Sequence, residues 1–113
     1  MGFKGIHTFE ERCIESEKIM KKYPERIPVI VEKGVCQLQD IGKNKFLVSR
    51  DMTVSQFVFM IRKRIKLDPS QSLFVLMNNR VASGSSPLGT VYEEYKDTDG
   101  FVYMVYTSEN TFG

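Results

Sequence analysis

The stretch T-V-S-Q-F-V-F-M-I-R-K-R-I, from Thr53 to Ile65, decides the fold. It opens with a capping box, in which the Thr53 hydroxyl and the Gln56 side chain satisfy exposed backbone N–H groups at a helix start. Its apolar residues recur at the spacing of one helical face, and they are Val54, Phe57, Val58, Ile61 and Ile65. The pattern predicts a long amphipathic helix. Its cations lie largely on the outer side and near the C-terminus, where the helix dipole favours them; they are Arg62, Lys63 and Lys66.

Short apolar runs on either side of this helix predict four strands. They are Ile27 to Val31, Lys45 to Val48, Leu73 to Met77 and Phe101 to Tyr106. Pro28 suits the beginning of a strand or an unpaired edge, because proline has no N–H to donate. In the second run, alternation places Lys45 and Leu47 on one face and Phe46 and Val48 on the other.

A second capping box, Thr8 to Glu11, predicts a helix that runs to about Lys22 and stops before Pro24. One side of this helix is predicted to be apolar, with Ile19 flanking it and Ile14 off it. The residues of that face are Phe9, Cys13, Met20 and Tyr23.

Turn and helix signals also occur between the last two predicted strands. Asn78-Asn79 marks a turn. Ser86-Pro87 predicts the start of a short helix that ends before Asp97, with Ser86 as the N-cap and Pro87 at the first helical position.

The order of these elements predicts an α+β fold. Two hairpins cannot bury their apolar faces alone, so the long helix must cover one face of a shared sheet. This is the ubiquitin-like β-grasp, a four-stranded mixed sheet with a long crossing helix, here with an N-terminal helical extension. We expect a single domain, with the extension at residues 1–24, the β-grasp core at 25–106 and a flexible C-terminal tail at 107–113.

Composition indicates one globular domain, with 113 residues, 42% of them hydrophobic and 27% charged. The 16 Lys and Arg residues nearly balance the 14 Asp and Glu residues, so charge alone does not indicate a nucleic-acid partner. No signal peptide or run of ~20 apolar residues is visible. We therefore expect a soluble, intracellular protein with both thiols, Cys13 and Cys36, reduced.

Catalytic constellations are scarce. His7 is the only histidine and precedes a helix, and Cys13 falls on the predicted apolar face, where a small buried hydrophobe is the ordinary role. No nucleophile elbow, P-loop or zinc-binding H-E-x-x-H motif is present. We expect no enzyme, no catalytic residue, no metal site and no cofactor.

The basic cluster Arg62-Lys63-Arg64 has two interpretations. With Lys43 and Lys45 it can contact phosphates or acidic peptides, or it is a solvated helix face. Lys45 likewise either protects an exposed sheet edge from aggregation or belongs to an edge that accepts an extended peptide as an added strand.

Several longer blocks resemble one family. E-K-I-M-K-K-Y-P-E-R-I-P-V-I-V-E-K at Glu17 to Lys33 looks very like the GABARAP branch of the autophagy ubiquitin-like modifiers. Further blocks match in the right order, namely K-F-L-V at Lys45 to Val48, D-M-T-V-S-Q-F at Asp51 to Phe57, I-R-K-R-I at Ile61 to Ile65 and the closing F-G. The resemblance covers about Phe9 to Gly113.

The resemblance implies a role for the end of the chain. In this family the terminal glycine is activated by an E1-like enzyme with ATP, passed to an E2-like conjugating enzyme and joined to phosphatidylethanolamine. Gly113 matches that glycine, and Phe112 would be the adjacent residue that the conjugation enzymes recognise. A cysteine protease would process and deconjugate the protein, which would be cytoplasmic and, when lipidated, lie on the autophagosome membrane.

The resemblance also implies a docking groove for aromatic-x-x-aliphatic motifs of cargo receptors. Positions that match its aromatic pocket are Glu15, Ile19, Pro28, Lys45, Leu47 and Phe101. Those that match its aliphatic pocket are Phe46, Val48, Met52, Phe57, Met60 and Ile61, and the cations for acidic residues beside the motif are Lys43, Lys45 and Arg64. Ser49 departs from the family pattern, which usually has proline there, and no role is assigned to Val81 to Leu88.

Two other functions remain open. One is a non-conjugated peptide-binding module, such as a trafficking or microtubule adaptor, that uses only the groove and the basic helix. The other is a nucleic-acid binder, which is not favoured because no aromatic-rich strand of the RNA-binding type is evident.

Overall fold

The computed structural model describes residues 2–34 and 36–108, which form a sheet with helices on both faces. The helices are α1 (Phe3–Ile6), α2 (Phe9–Lys22), α3 (Val54–Arg64) and α4 (Leu88–Tyr95). The strands are β1 (Arg26–Lys33), β2 (Lys45–Ser49), β3 (Phe74–Met77), β4 (Arg80–Val81) and β5 (Val102–Thr107). They lie in the order β2-β1-β5-β3-β4. The β1–β5 pair is parallel, and the other three pairs are antiparallel.

Helix α3 covers one face of the sheet, as predicted. Both halves of its capping box are formed, because Thr53 Oγ1 accepts from Gln56 N and Gln56 Oε1 accepts from Thr53 N. Of its predicted apolar face, Val58 is partly buried and the other residues are buried, namely Val54, Phe57, Ile61 and Ile65. They share one core with alternate residues of β1, which are Ile27, Val29 and Val31.

Strand β1 is buried on both faces. The opposite face contributes Ile30 to a second, smaller core with Phe3 and Phe101. The N-terminal helices supply this cover, which confirms the predicted helical extension. Pro28 lies near the beginning of β1, one residue before the β1–β5 pairing starts at Val29, so the predicted position at a strand's beginning is confirmed.

The sheet has five strands, not the predicted four. Asn78 and Asn79 both have positive φ, 51° and 62°, the conformation of a tight hairpin turn that matches the twist of the strands it joins. The turn therefore returns the chain as β4, where Leu76 pairs with Val81. A two-residue strand is too short to show any alternation in the sequence. The helix α1 is not predicted either, because its four residues are too few to show a helical periodicity.

The predicted apolar face of α2 is partly wrong. Phe9 is 51% exposed, and the buried residue of the helix is Ser16. Ser16 Oγ donates to the backbone oxygens of Cys13 and Asp99, so the buried contact of α2 with the turn before β5 is polar. The helix bounds, its capping box and the exposure of Ile14 agree with the prediction.

Two other boundaries differ from their predictions. Pro87, not Ser86, is the N-cap of α4, and the helix begins at Leu88. Thr107, assigned to the tail, is the last residue of β5 and is buried opposite Phe74. Among the described residues, no helix is long and apolar enough to cross a membrane. Cys13 and Cys36 are free thiols.

Thr53→Ala is expected to lower the free energy of unfolding by about 1 kcal/mol, the usual effect of removing an N-cap hydroxyl. The variant leaves Gln56 N without its side-chain acceptor. Urea unfolding followed by circular dichroism measures the change. Thr53→Ser keeps the oxygen and is the control; equal losses in both variants would show that the cap does not stabilise α3.

Candidate functional site

The candidate site is the free edge of the sheet along β2. In the described part of the chain, β2 pairs with β1 alone, so its outer edge presents backbone N–H and C=O groups that no other strand pairs. Lys45 and Leu47 are half-buried on one face, whereas Phe46 and Val48 are buried on the other. This alternation agrees with the prediction, and it provides both backbone partners and side-chain contacts for an added strand.

The predicted aromatic-pocket residues lie between α2 and β2. Glu15 on α2 and Lys45 on β2 form an ion pair that joins the two elements. Pro28 is the cross-strand partner of Leu47 and is buried. Ile19 packs against the second core. Four predicted residues therefore meet along one seam, beside Ile19.

Phe101 lies deeper than its predicted role requires. It is fully buried, with its ring 5.2 Å from that of Phe3. Tyr103 packs against the same core. Phe101 is therefore part of the second core, and a docked side chain would contact it only if neighbouring side chains moved.

The predicted aliphatic-pocket residues lie between β2 and α3. The rings of Phe46 and Phe57 make an edge-to-face contact with centroids 6.1 Å apart. Phe57 and Ile61 are 1% and 0% exposed, so they form the base of this region. Met52 and Met60 are partly buried, and methionine is an adaptable contact for apolar ligands.

Two of the three predicted cations converge on Phe46. Lys43 Nζ lies 5.1 Å and the Arg64 guanidinium carbon 5.4 Å from the centre of its ring. Lys43 and Arg64 are exposed, so their charges face solvent near β2. Lys45 is instead paired with Glu15, and an acidic ligand would compete with that carboxylate.

A buried polar network, not predicted, fixes α2 beside the candidate site. Asp99 Oδ2 accepts from Arg12 Nη1 at 2.7 Å and from Tyr103 Oη at 2.5 Å, and Asp99 Oδ1 accepts from Phe101 N at 2.9 Å. Burial, followed by the hydrogen bond to Asp99, raises the pKa of Tyr103 well above its usual range. Tyr103 thus stays a neutral donor at physiological pH.

One signal for this network is present in the sequence. Gly100 follows Asp99 and has a φ of 93°, a left-handed conformation that favours glycine. A Cβ on Gly100 would collide with Ser16 Oγ, so this glycine lets α2 approach closely. The partners of this Asp-Gly pair lie more than 80 residues away along the chain, so the pair alone does not indicate them.

Phe112 and Gly113, the predicted recognition and conjugation residues, lie outside the described residues. The last described residue is Ser108, which follows the end of β5.

Comparison with known protein families shows to which family this chain belongs. The family model described as "Autophagy protein Atg8 ubiquitin like" matches residues 11–113. The chain belongs to the Atg8 family. The predicted resemblance to the autophagy ubiquitin-like modifiers is confirmed, and so is the ubiquitin-like fold.

Curated Atg8 relatives are similar over nearly their whole length. Autophagy-related protein 8a of Arabidopsis thaliana is 50% identical over 113 residues, which cover 99% of this chain and 93% of the relative. Autophagy-related protein 8B of Oryza sativa subsp. indica is 49% identical, with 99% and 95% covered. Autophagy-related protein 8 of Mycosarcoma maydis is 48% identical, with 99% and 96% covered.

A solved Atg8 structure has the same fold. The crystal structure of Trypanosoma brucei ATG8 superposes with a TM-score of 0.90 at 41% sequence identity, and the match covers 100% of this chain and 98% of that one. The chain is therefore an Atg8-type ubiquitin-like protein of autophagy.

Proposed function

We propose that this Atg8 protein is a conjugated membrane adaptor and not an enzyme. Gly113 is joined to phosphatidylethanolamine, and the free edge of β2 binds aromatic-x-x-aliphatic motifs of cargo receptors. The observation that carries the docking half is the unpaired β2 edge, with half-buried Lys45 and Leu47 alternating with buried Phe46 and Val48.

The two sides of β2 support a peptide that adds as a strand. In an extended peptide, successive side chains alternate between the two faces of the strand. The aromatic and aliphatic residues of the motif are three positions apart, so they point to opposite faces. One side has the seam between α2 and β2, where Leu47 lies. The other has the region above Phe57 and Ile61. An aromatic residue in the first and an aliphatic residue in the second fits this separation.

The positive charges beside β2 favour a peptide with acidic residues next to its motif. The exposed Lys43 and Arg64 lie on the same side of β2 as the Phe46 ring. An acidic residue of the peptide would pair with them and steer association, while the apolar pockets supply most of the affinity.

A lipid joined to Gly113 would hold the protein, and with it the β2 edge, at a membrane surface. An activating enzyme would use ATP to convert the Gly113 carboxylate into a thioester, and the amine of the lipid would then displace the thiol and leave an amide. Glycine has no Cβ, so its carbonyl is open to attack in a narrow enzyme site. The two acyl chains of the lipid supply the two-chain anchoring that makes membrane attachment stable.

The conjugation half is tested with purified protein, its E1-like and E2-like enzymes, ATP and vesicles that contain phosphatidylethanolamine. The chain is expected to gain the mass of one lipid less one water, measured by mass spectrometry, and to float with the vesicles. Gly113→Ala is expected to reduce the adduct strongly, because the added methyl group crowds the reacting carbonyl.

Thr90→Ala is the matched control, because Thr90 is exposed on α4 and belongs to neither predicted pocket. It is expected to conjugate at the rate of the unchanged chain. The absence of an adduct, or an undiminished adduct in Gly113→Ala, would reject conjugation and favour the non-conjugated peptide-binding adaptor.

A further inference from the structure

A second groove lies near the opposite edge of the sheet from β2, between α3 and the β3–β4 hairpin. Its volume is about 370 Å³, and its apolar lining includes Val58, Phe59, Leu73 and Val81. Phe59 is 61% exposed and Val81 is 51% exposed, whereas the candidate docking residues on β2 are half-buried or buried. This groove has no part in the function proposed above.

The chain leaves the sheet beside this groove. Thr107, the last residue of β5, pairs with Phe74 in β3, and Phe74 and Leu73 both line the groove. Residues 109–112 reach at most about 14 Å from Ser108, at about 3.3–3.6 Å per residue. The tail therefore starts next to the end of the groove that Leu73 and Phe74 line.

The chemistry of the tail matches the groove. In Glu109 to Gly113, E-N-T-F-G, the one large apolar residue is Phe112. The tail also carries the Glu109 carboxylate. Arg62 lines the groove, and its guanidinium donates to the backbone carbonyl oxygens of Asp68 and Gln71, which carry no charge to offset its own. Lys63 Nζ lies 5.2 Å from the centre of the Phe59 ring.

We propose that the unconjugated tail docks in this groove of its own chain, with the Phe112 ring against Phe59 and Val81 and the Glu109 carboxylate near Arg62. Docking holds Gly113 against the protein until an enzyme withdraws the tail. The docked state does not depend on lipid conjugation; only its consequence for the rate of conjugation rests on the function proposed above.

Tryptophan fluorescence tests the docking directly, because the natural chain contains no tryptophan. Phe112→Trp places the single reporter in the tail, where it leaves the folded domain unchanged. Its emission is expected to be blue-shifted, and its quenching by acrylamide severalfold weaker, relative to the free peptide E-N-T-W-G. No conjugation enzyme is present, so this measurement can fail while conjugation succeeds.

Two further substitutions in the Phe112→Trp background locate the contact. Val81→Asp is expected to restore the quenching of the free peptide, whereas Ile14→Asp, on α2 and 49% exposed, is the matched control and is expected to change nothing. Arg62→Gln is expected to weaken protection and to reduce its dependence on salt.

Three outcomes would overturn the proposal. The first is quenching of the tail tryptophan equal to that of the free peptide. The second is protection that persists in Val81→Asp, which would place the ring elsewhere. The third is protection that grows with protein concentration, which would assign the groove to the tail of a second copy.

Discussion

Leu47→Arg is expected to lower the affinity for an aromatic-x-x-aliphatic peptide by at least about 100-fold, which corresponds to about 2.8 kcal/mol. Leu47 is half-buried at the seam between α2 and β2, beside Lys45 and opposite Pro28. A peptide side chain that docks there removes water from the seam, and the new guanidinium would lose its hydration without gaining a partner. Titration calorimetry with a peptide that carries acidic residues before its aromatic residue measures the change.

Val81→Arg is the matched control for this experiment. Val81 is an apolar residue on β4, the strand at the opposite edge of the sheet, and is 51% exposed. Its affinity for the peptide is expected to equal that of the unchanged chain, and the circular dichroism spectra of both variants should retain the native shape. Unchanged affinity in Leu47→Arg would mean that the motif binds somewhere other than the β2 edge.

Asp99→Ala is expected to have the largest effect on stability, a loss of about 3 kcal/mol or more, because buried donors left without an acceptor cost about 1–3 kcal/mol each. The Asp99 side chain is 0% exposed, and its removal takes the acceptor from both the Tyr103 hydroxyl and the Phe101 N–H. Arg12, 10% exposed, also loses its carboxylate partner. Such a loss is a large fraction of the 5–15 kcal/mol typical of a domain. Urea unfolding measures it.

Asp97→Ala provides the comparison, two residues away in the same turn. The Asp97 side chain is 25% exposed and pairs with Lys4 at 2.7 Å. Partly exposed pairs contribute up to about 1 kcal/mol, so the loss should be clearly smaller. Similar losses in the free energy of unfolding would show that the buried network around Asp99 stabilises the protein no more than the partly exposed ion pair of Asp97 does.

The elements that the sequence predicted well are those with strong local signals. The capping boxes at Thr8 and Thr53 use side chains three residues apart, so they specify helix starts whatever surrounds them. The alternation in Lys45 to Val48 likewise survives in the structure, because one face of β2 packs on α3 and the other lies partly open beside α2.

The features that the sequence did not predict depend on distant partners. Phe9 has the spacing of a core residue but is exposed, because α2 is held to the sheet through Ser16, Arg12 and their contacts with Asp99. Phe3 lies in a helix of four residues, and its burial depends on Phe101, almost a hundred residues away. Periodicity in one segment contains no information about such pairs.

The candidate site was predicted in part for the same reason. The residues that the family resemblance named lie on both sides of β2 in the structure, yet the depth of Phe101 and the pairing of Lys45 with Glu15 follow from how α2 packs on the sheet. Where a side chain lies relative to the surface is a tertiary property, which a motif match does not contain.

The two edges of the sheet are unequal, since β2 has five residues and β4 has two. Growth of a sheet from one molecule to the next requires a usable edge on each side, and a two-residue strand offers too few backbone groups to hold a neighbour. If copies are held together on one membrane, as the proposed function implies, we therefore expect them not to add edge to edge into a continuous sheet. Under the proposed function, each molecule would bind one peptide strand at its β2 edge, and the sheet would extend no further.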